Sequence, residues 1–513
     1  MELHWTDVAL FVGFIGFVVA FSMYKGRREK TSEDYFLAGR GLIWPIIGLS
    51  LIAANISSEQ FVGMNGAGAR NVGLAVASYD WIAAITLAIV AMFFLPRLLR
   101  AGIYTIPEYL EYRFSSTARN IMSVFMMVIY VGVTISSVAY SGGLAIHTIF
   151  GTDLAAAVWL VGAIAALYTT YGGLKSVAWA DLFLGLALLI GGSTVTAYAF
   201  GAVGGIGPFW QQNADKMHMV LPERVMELPG SALLLGIWIP NLYYWGFNQY
   251  IAQRALAART LREGQFGVLM AAGIQIILPI MIVIPGIIAA GHFGDRLGNS
   301  DQAFPMLIRE LIPAGLRGLI FAAIAGAIVS SLASMLNSAS TIFTMDVYKR
   351  HLAPQASQSR LIWIGRSMTV LFVVIGCLIG SQLGKLNAGI FQFIQEFQGF
   401  VTVGVLATFM YGFFVKRAPA AAAVTGLLLN PIAYGALYAL NATGMLPMAF
   451  LNRIAVTFII LVLVMAVITW LRPLAKPRQM PINGEFDMTT SPAVRWIGIT
   501  IILITVGLYV VFW

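Results

Sequence analysis

Apolar residues run through this chain in long blocks, broken by short polar stretches. A bilayer's hydrocarbon core is about 30 Å thick, so about 20 apolar residues cross it as a helix. Counted this way, the pattern predicts about fourteen spans, near residues 5–24, 43–66, 74–96, 118–148, 154–171, 179–203, 231–252, 264–291, 304–346, 361–382, 388–414, 419–440, 450–471 and 494–513. The expected fold is an all-α integral membrane protein.

Polar residues interrupt two of these spans. The stretch NLYYWGFNQYIAQR, 241–254, sets Asn, Tyr, Trp and Gln where lipid offers no partner, so these groups must face something polar. Pro240 precedes them and would free backbone carbonyls. In the second span, Asn55-Ile56-Ser57-Ser58-Glu59-Gln60 breaks an apolar run. The breaks, placed at 55–60 and at Pro240–Asn241, correspond if spans two to six and seven to eleven form two five-helix halves. That is the signature of an inverted repeat with discontinuous helices; helix ends buried against protein are the alternative. The expected layout is a span and linker over 1–42, a first repeat over 43–203, an outer loop and second repeat over 204–414, and accessory helices over 415–513.

Composition agrees: 59% of 513 residues are hydrophobic and 10% charged, which a bilayer solvates and a globular core cannot bury. The basic residues mark topology. Lys25 to Lys30, Arg97 with Arg100, Lys175, Arg254 with Arg259 and Arg262, Lys349 with Arg350, Lys416 with Arg417, and Arg472 with Lys476 and Arg478 fall in alternate loops. By the positive-inside rule those loops are cytoplasmic and both termini extracytoplasmic, with the first span an anchor in a bacterial-type plasma membrane. Lys216, Arg224 and Arg453 fall on the other side. The net charge of +9 is scattered among short loops without interleaved aromatics, which suits anionic lipid and excludes nucleic acid as partner. Cys377 is the one cysteine and the five histidines are dispersed, so neither a disulfide frame nor a zinc cluster is expected. The glycines at 201–207 lack the strand and acidic residue of a dinucleotide fingerprint; no enzyme chemistry is read.

Candidate binding chemistry is confined to the spans. In AIVSSLAS, Ala327, Ser330, Ser331 and Ser334 share one helix face, and stacked hydroxyls can ligate a hard cation together with carbonyls at Ala53 and Ile56. Close helix packing by small residues is the competing reading. Glu59, Asp80, Asp181 and Glu396 are ionisable groups at intramembrane positions. Asp80 follows Tyr79, a carboxylate beside an aromatic that suits a sugar; pairing with a basic group or amide is the alternative. Asp181 reads as a cation exit relay or an interfacial charge.

The motifs NISSEQFVGMNGAG, ASYDW, GIYTIPEYLEYRF, YGGLKSVAWAD, NLYYWGFNQYIAQR and IVSSLASMLNSASTIFTMDVYK, in this order along nearly the whole chain, resemble the solute:sodium symporter family. The sodium/glucose cotransporter branch, and within it the bacterial sodium/galactose type, is the best match. The resemblance implies a LeuT-like five-plus-five inverted repeat and sodium bound by Ala53, Ile56, Ala327, Ser330 and Ser331, with Asp181 on the sodium exit path. It implies sugar contacts from Gln60, Asp80, Asn241 and Gln395, an inner stacking gate at Tyr244, and an outer lid of Met64, Tyr79 and Phe391. Departures from the galactose pattern are Asp80 for a longer Glu, Ala83 for Ser and Gln275 for Lys, with Gln275 kept in the sugar set. Ala333 stands where relatives with a second sodium carry a hydroxyl, so one sodium per sugar is expected. The function implied is sodium-coupled import of a neutral monosaccharide by alternating access. A symporter for a non-sugar solute, a membrane sensor and a passive channel are the rivals.

Overall fold

The computed structural model describes residues 4–27, 29–56, 59–298, 300–383, 390–484 and 486–513; for residues 59, 62, 148, 149, 301, 390–393 and 395 only the backbone is described. Among the described residues every regular element is a helix, apart from an isolated bridge between Leu42 and Ala258. The principal helices are α1 (Trp5–Gly26), α2 (Trp44–Asn55), α3 (Asn65–Ala69), α4 (Ser78–Ile89), α5 (Ser116–Ile129), α6 (Ile135–Phe150), α7 (Leu154–Ala202) and α8 (Trp238–Phe247). They continue as α9 (Gln249–Leu256), α10 (Leu261–Phe293), α11 (Leu316–Ile342), α12 (Gln358–Leu383), α13 (Ile390–Phe414), α14 (Ala420–Ala442), α15 (Phe450–Leu471) and α16 (Pro492–Val511).

Eleven helical stretches among the described residues are long and apolar enough to cross a membrane, against about fourteen expected. The difference has physical causes. α7 is 49 residues long, more than twice what one crossing needs, and is two helices joined at Gly172–Gly173. Gly173 has φ +51°, and a Cβ there would lie 2.1 Å from the Tyr35 carbonyl, so only glycine allows the joint. The other two absent spans are the interrupted ones, whose pieces are each too short to count.

The first interruption lies where the sequence placed it. α2 ends at Asn55, Ile56 is extended (φ −72°, ψ 114°), and a π-helical turn, Glu59–Met64, leads into α3. The second does not. Pro240 and Asn241 lie inside α8, whose first turn accommodates a proline because those amides have no helical acceptor. The break comes at Asn248, extended at φ −78°, ψ 124°, between α8 and α9. Ile56 and Asn248 thus carry nearly the same dihedrals, and the ends of the two interrupted helices meet: Leu42 N–H donates to Ala257 O (3.1 Å) and Arg259 N–H to Leu42 O (3.0 Å).

Around these helices the outer faces are apolar: Ile190, Leu463 and Val510 are 63%, 60% and 72% exposed, as a lipid-facing surface requires. Caps fix the helix ends. The buried Asp7 carboxylate in α1 accepts the Gly315 and Gly318 amides (2.7 and 2.9 Å) at the N-terminus of α11, where the helix dipole favours negative charge.

Candidate substrate and sodium site

The two breaks, α4, α11 and α13 enclose a cavity of about 120 Å³, many times the room that one water needs. Its lining includes Gln60, Met64, Tyr79, Asp80, Asn241 and Tyr244, so six of the expected sugar and gate residues come together. α4 brings Tyr79 and Asp80 from its first turn, and α8 brings Asn241 and Tyr244, three residues apart on one face. Asp80 is 3% exposed, and its Oδ2 has no partner among the described residues. Asn241 Nδ2 donates to Ile237 O at 3.1 Å, which orients the carboxamide.

One side of the cavity is aromatic. The ring of Tyr244 meets those of Trp245 and Tyr250 edge-on, at 5.1 and 5.7 Å. Tyr130, whose ring is 5.9 Å from that of Tyr250, donates its hydroxyl to Asn248 Oδ1 and so fastens the second break.

One expected sugar-site residue, Gln275, is not among the described lining. Gln275 is buried in α10 and both its amide atoms lack partners among the described residues. α10 packs against α4, where Ile276 O accepts from Trp81 Nε1 (3.2 Å). The side chains of Phe391 and Gln395 lie outside the described residues. Gln398, Thr134 and Met335 also line the cavity and were not anticipated, whereas Asn55, Trp245 and Tyr250 line it from the two polar stretches without having been assigned a role. Gln398 had a signal in its spacing, three residues past Gln395 along the sequence; Thr134 and Met335 had none, since hydroxyls and methionines are common in spans.

Next to the cavity, α11 turns its serines toward α2 and α7. Ser331 Oγ donates to the Ala54 carbonyl (3.0 Å) and also lines the cavity. Ser330 Oγ donates to Asp181, and Ser334 Oγ to Ser330 O (2.7 Å). Ala53, Ile56 and Ala327 are buried at the same junction. The donor set is oxygen only, without a carboxylate of its own, which suits a hard monovalent cation.

Asp181 is neither interfacial nor solitary. It is fully buried and paired with Arg254 Nη2 at 2.9 Å, while its Oδ2 also accepts from Ser50 (2.5 Å). Arg254, read from the sequence as a loop residue, is 1% exposed in α9 and donates further to Ser50 Oγ (2.6 Å), Tyr250 O and Ser334 Oγ. This network joins both interrupted helices to α7 and α11 through Ser330. Glu396 is likewise paired, with Arg453, which accounts for an arginine on the side the positive-inside rule leaves neutral. Among the described residues, no group of three His, Cys, Asp or Glu could hold a metal ion.

The profile of the sodium:solute symporter family matches residues 35–430. The chain belongs to that family. The symporter is 40% identical over 460 residues to a sodium/glucose cotransporter of Vibrio parahaemolyticus, covering 83% of this chain and 84% of the relative. It is 34% identical over 466 residues to sodium/myo-inositol cotransporter 2 of Oryctolagus cuniculus, covering 83% and 68%. The structure of a Na+-coupled sialic acid symporter in a substrate-bound outward-open state superposes with a TM-score of 0.83 at 23% identity, covering 93% of this symporter and all of that chain. The fold is therefore that of the sodium-coupled, LeuT-like transporters, and sodium is the coupling ion. The symporter is a multi-pass membrane protein.

Proposed function

We propose that this symporter imports a neutral, polyhydroxylated solute of monosaccharide type, with one sodium per molecule. The lining of the cavity carries the reading. Carboxamides from Gln60, Asn241 and Gln398, tyrosine rings, and one carboxylate with an oxygen that no described residue satisfies converge there, and no lysine, arginine or histidine is among the described lining residues. Sugar hydroxyls donate to Asp80 and to the carboxamide oxygens, and a ring face stacks on Tyr244. An anionic solute would meet the Asp80 carboxylate with no cation among the described lining residues to offset it. The relatives named for glucose and myo-inositol transport point to the same chemical class.

Sodium bridging α2 and α11 at Ala53, Ile56, Ala327, Ser330 and Ser331 favours the state that assembles the cavity, because Ser331 belongs to both sites. The coupling is reciprocal: sugar tightens sodium binding by the same factor that sodium tightens sugar binding. The basic loops face the cytoplasm and both termini the outside, so a negative interior drives entry, and about 100 mV supplies about 2.3 kcal/mol per sodium.

Thermal-shift titration of the purified protein with glucose, galactose, myo-inositol, proline and sialic acid, in sodium or in potassium, tests the substrate class. A stabilising shift with a neutral sugar or polyol, seen only in sodium, supports the reading. A shift with proline or sialic acid alone overturns it.

A further inference from the structure

Neither the substrate cavity nor the cation junction uses the polar cluster that joins the accessory helices α14 and α15 to α13. Arg453, in the first turn of α15, is 2% exposed and donates from Nη2 to Glu396 Oε1. The other carboxylate oxygen accepts the Tyr434 hydroxyl of α14 at 2.8 Å. The Arg453 guanidinium also lies 5.9 Å from the Tyr434 ring centre and 5.6 Å from that of Tyr438. One turn further along α13, Asn430 Nδ2 donates to Phe400 O (2.6 Å) and Gly399 O (3.4 Å). Glycine at 399 permits this approach, since a Cβ there would sit 2.4 Å from Tyr434 Cζ.

α13 also carries Gln398 into the cavity. Residues two apart on a helix are separated by about 200°, so Glu396 and Gln398 leave α13 on opposite faces. Any rotation or slide of α13 that breaks the Glu396 contacts therefore displaces Gln398. Apolar packing would anchor α13 in several registers, whereas a buried charge pair with a third hydrogen bond is satisfied in one.

We propose that Arg453, Glu396 and Tyr434 form a positioning site through which the accessory helices fix the rotation of α13, and with it the placement of Gln398 and the affinity for substrate. The proposal rests on the cavity being the substrate site.

Two experiments in proteoliposomes test it. In the first, sugar uptake at saturating sodium is compared for the wild type, Arg453→Met and Arg453→Lys, normalised to folded protein. Arg453→Met raises KM by about fivefold, the equivalent of one misplaced neutral hydrogen bond, and Arg453→Lys restores most of it. A fall in folded protein with KM unchanged assigns the cluster to stability alone and overturns the proposal. The second needs no substrate. Gln398→Cys in a Cys377→Ala background is modified by a small charged methanethiosulfonate, with and without Arg453→Met. A change of about fivefold in modification rate, reversed by Arg453→Lys, is expected, because the rate follows exposure of the thiol. An unchanged rate overturns positioning whatever the solute. A changed rate in a protein that accumulates no sugar upholds positioning and removes the sugar reading.

Discussion

Asp80 faces the cavity with a buried carboxylate oxygen that no described residue satisfies, an arrangement that costs stability unless a ligand completes it. A hydrogen bond to a charged group contributes about 1.5–3 kcal/mol, and about 1.4 kcal/mol is a factor of ten. Removing one such bond in Asp80→Ala should weaken sugar binding by about 10- to 150-fold. Asp80→Asn keeps an acceptor and loses only the excess of a charged bond over a neutral one, about 1–1.5 kcal/mol, or five- to tenfold. The sugar-free protein should move the other way. An unpaired buried carboxylate costs more than an unpaired neutral amide, so Asp80→Asn should raise the thermal midpoint of the empty protein while lowering affinity, the usual conflict between stability and function at a binding site. Calorimetric titration at saturating sodium gives the affinities, and intrinsic fluorescence on heating gives the midpoints. Binding within about twofold of wild type in Asp80→Ala would refute the argument, and so would a lower midpoint for empty Asp80→Asn, since either shows that Asp80 is satisfied within the protein.

Ser331→Ala should raise the sodium concentration for half-maximal transport by about tenfold and leave maximal transport at saturating sodium near wild type, read from uptake against sodium; an unchanged sodium dependence removes Ser331 from the cation shell. Arg254→Met leaves Asp181 charged and buried, so it should destabilise the protein by about 3–5 kcal/mol, whereas Arg254→Met with Asp181→Leu should recover much of that loss. A double variant no more stable than the single one, by thermal midpoint, contradicts the pairing. On the segment following α1, burial pushes the Glu29 carboxyl up from 4.5 to about 7, with the Asp34 carboxylate adding to the rise and Lys175 opposing it. A raised folded value means a contribution that is full below pH 4.5 and lost as pH rises through about 7, so Glu29→Gln should flatten the stability profile over that window. A profile as steep as that of wild type contradicts it.

The sequence made the class and the site legible where physics leaves a local mark. Polar residues inside apolar runs announced both interruptions, and the serine spacing of α11 put Ser330 and Ser331 on one face, which the structure turns toward α7 and α2. Proline misled at the second interruption. Pro240 is a breaker only inside a helix, and it sits in the first turn of α8, while the break falls at Asn248, held by a tyrosine 118 residues away. Long-range partners were out of reach for the same reason. Arg254 reads as a loop cation until α7 brings Asp181 to it, and Arg453 reads as a topological exception until α13 brings Glu396.

The central claim is that a sodium gradient drives a neutral sugar inward through this cavity. Uptake of labelled glucose into proteoliposomes, with an inward sodium gradient, with equal sodium on both sides and with potassium alone, tests it most directly. The account predicts accumulation above the external concentration only with the gradient, abolished by one unlabelled neutral sugar or polyol in excess. Equal uptake under all three conditions, or accumulation blocked only by proline or sialic acid, would contradict it.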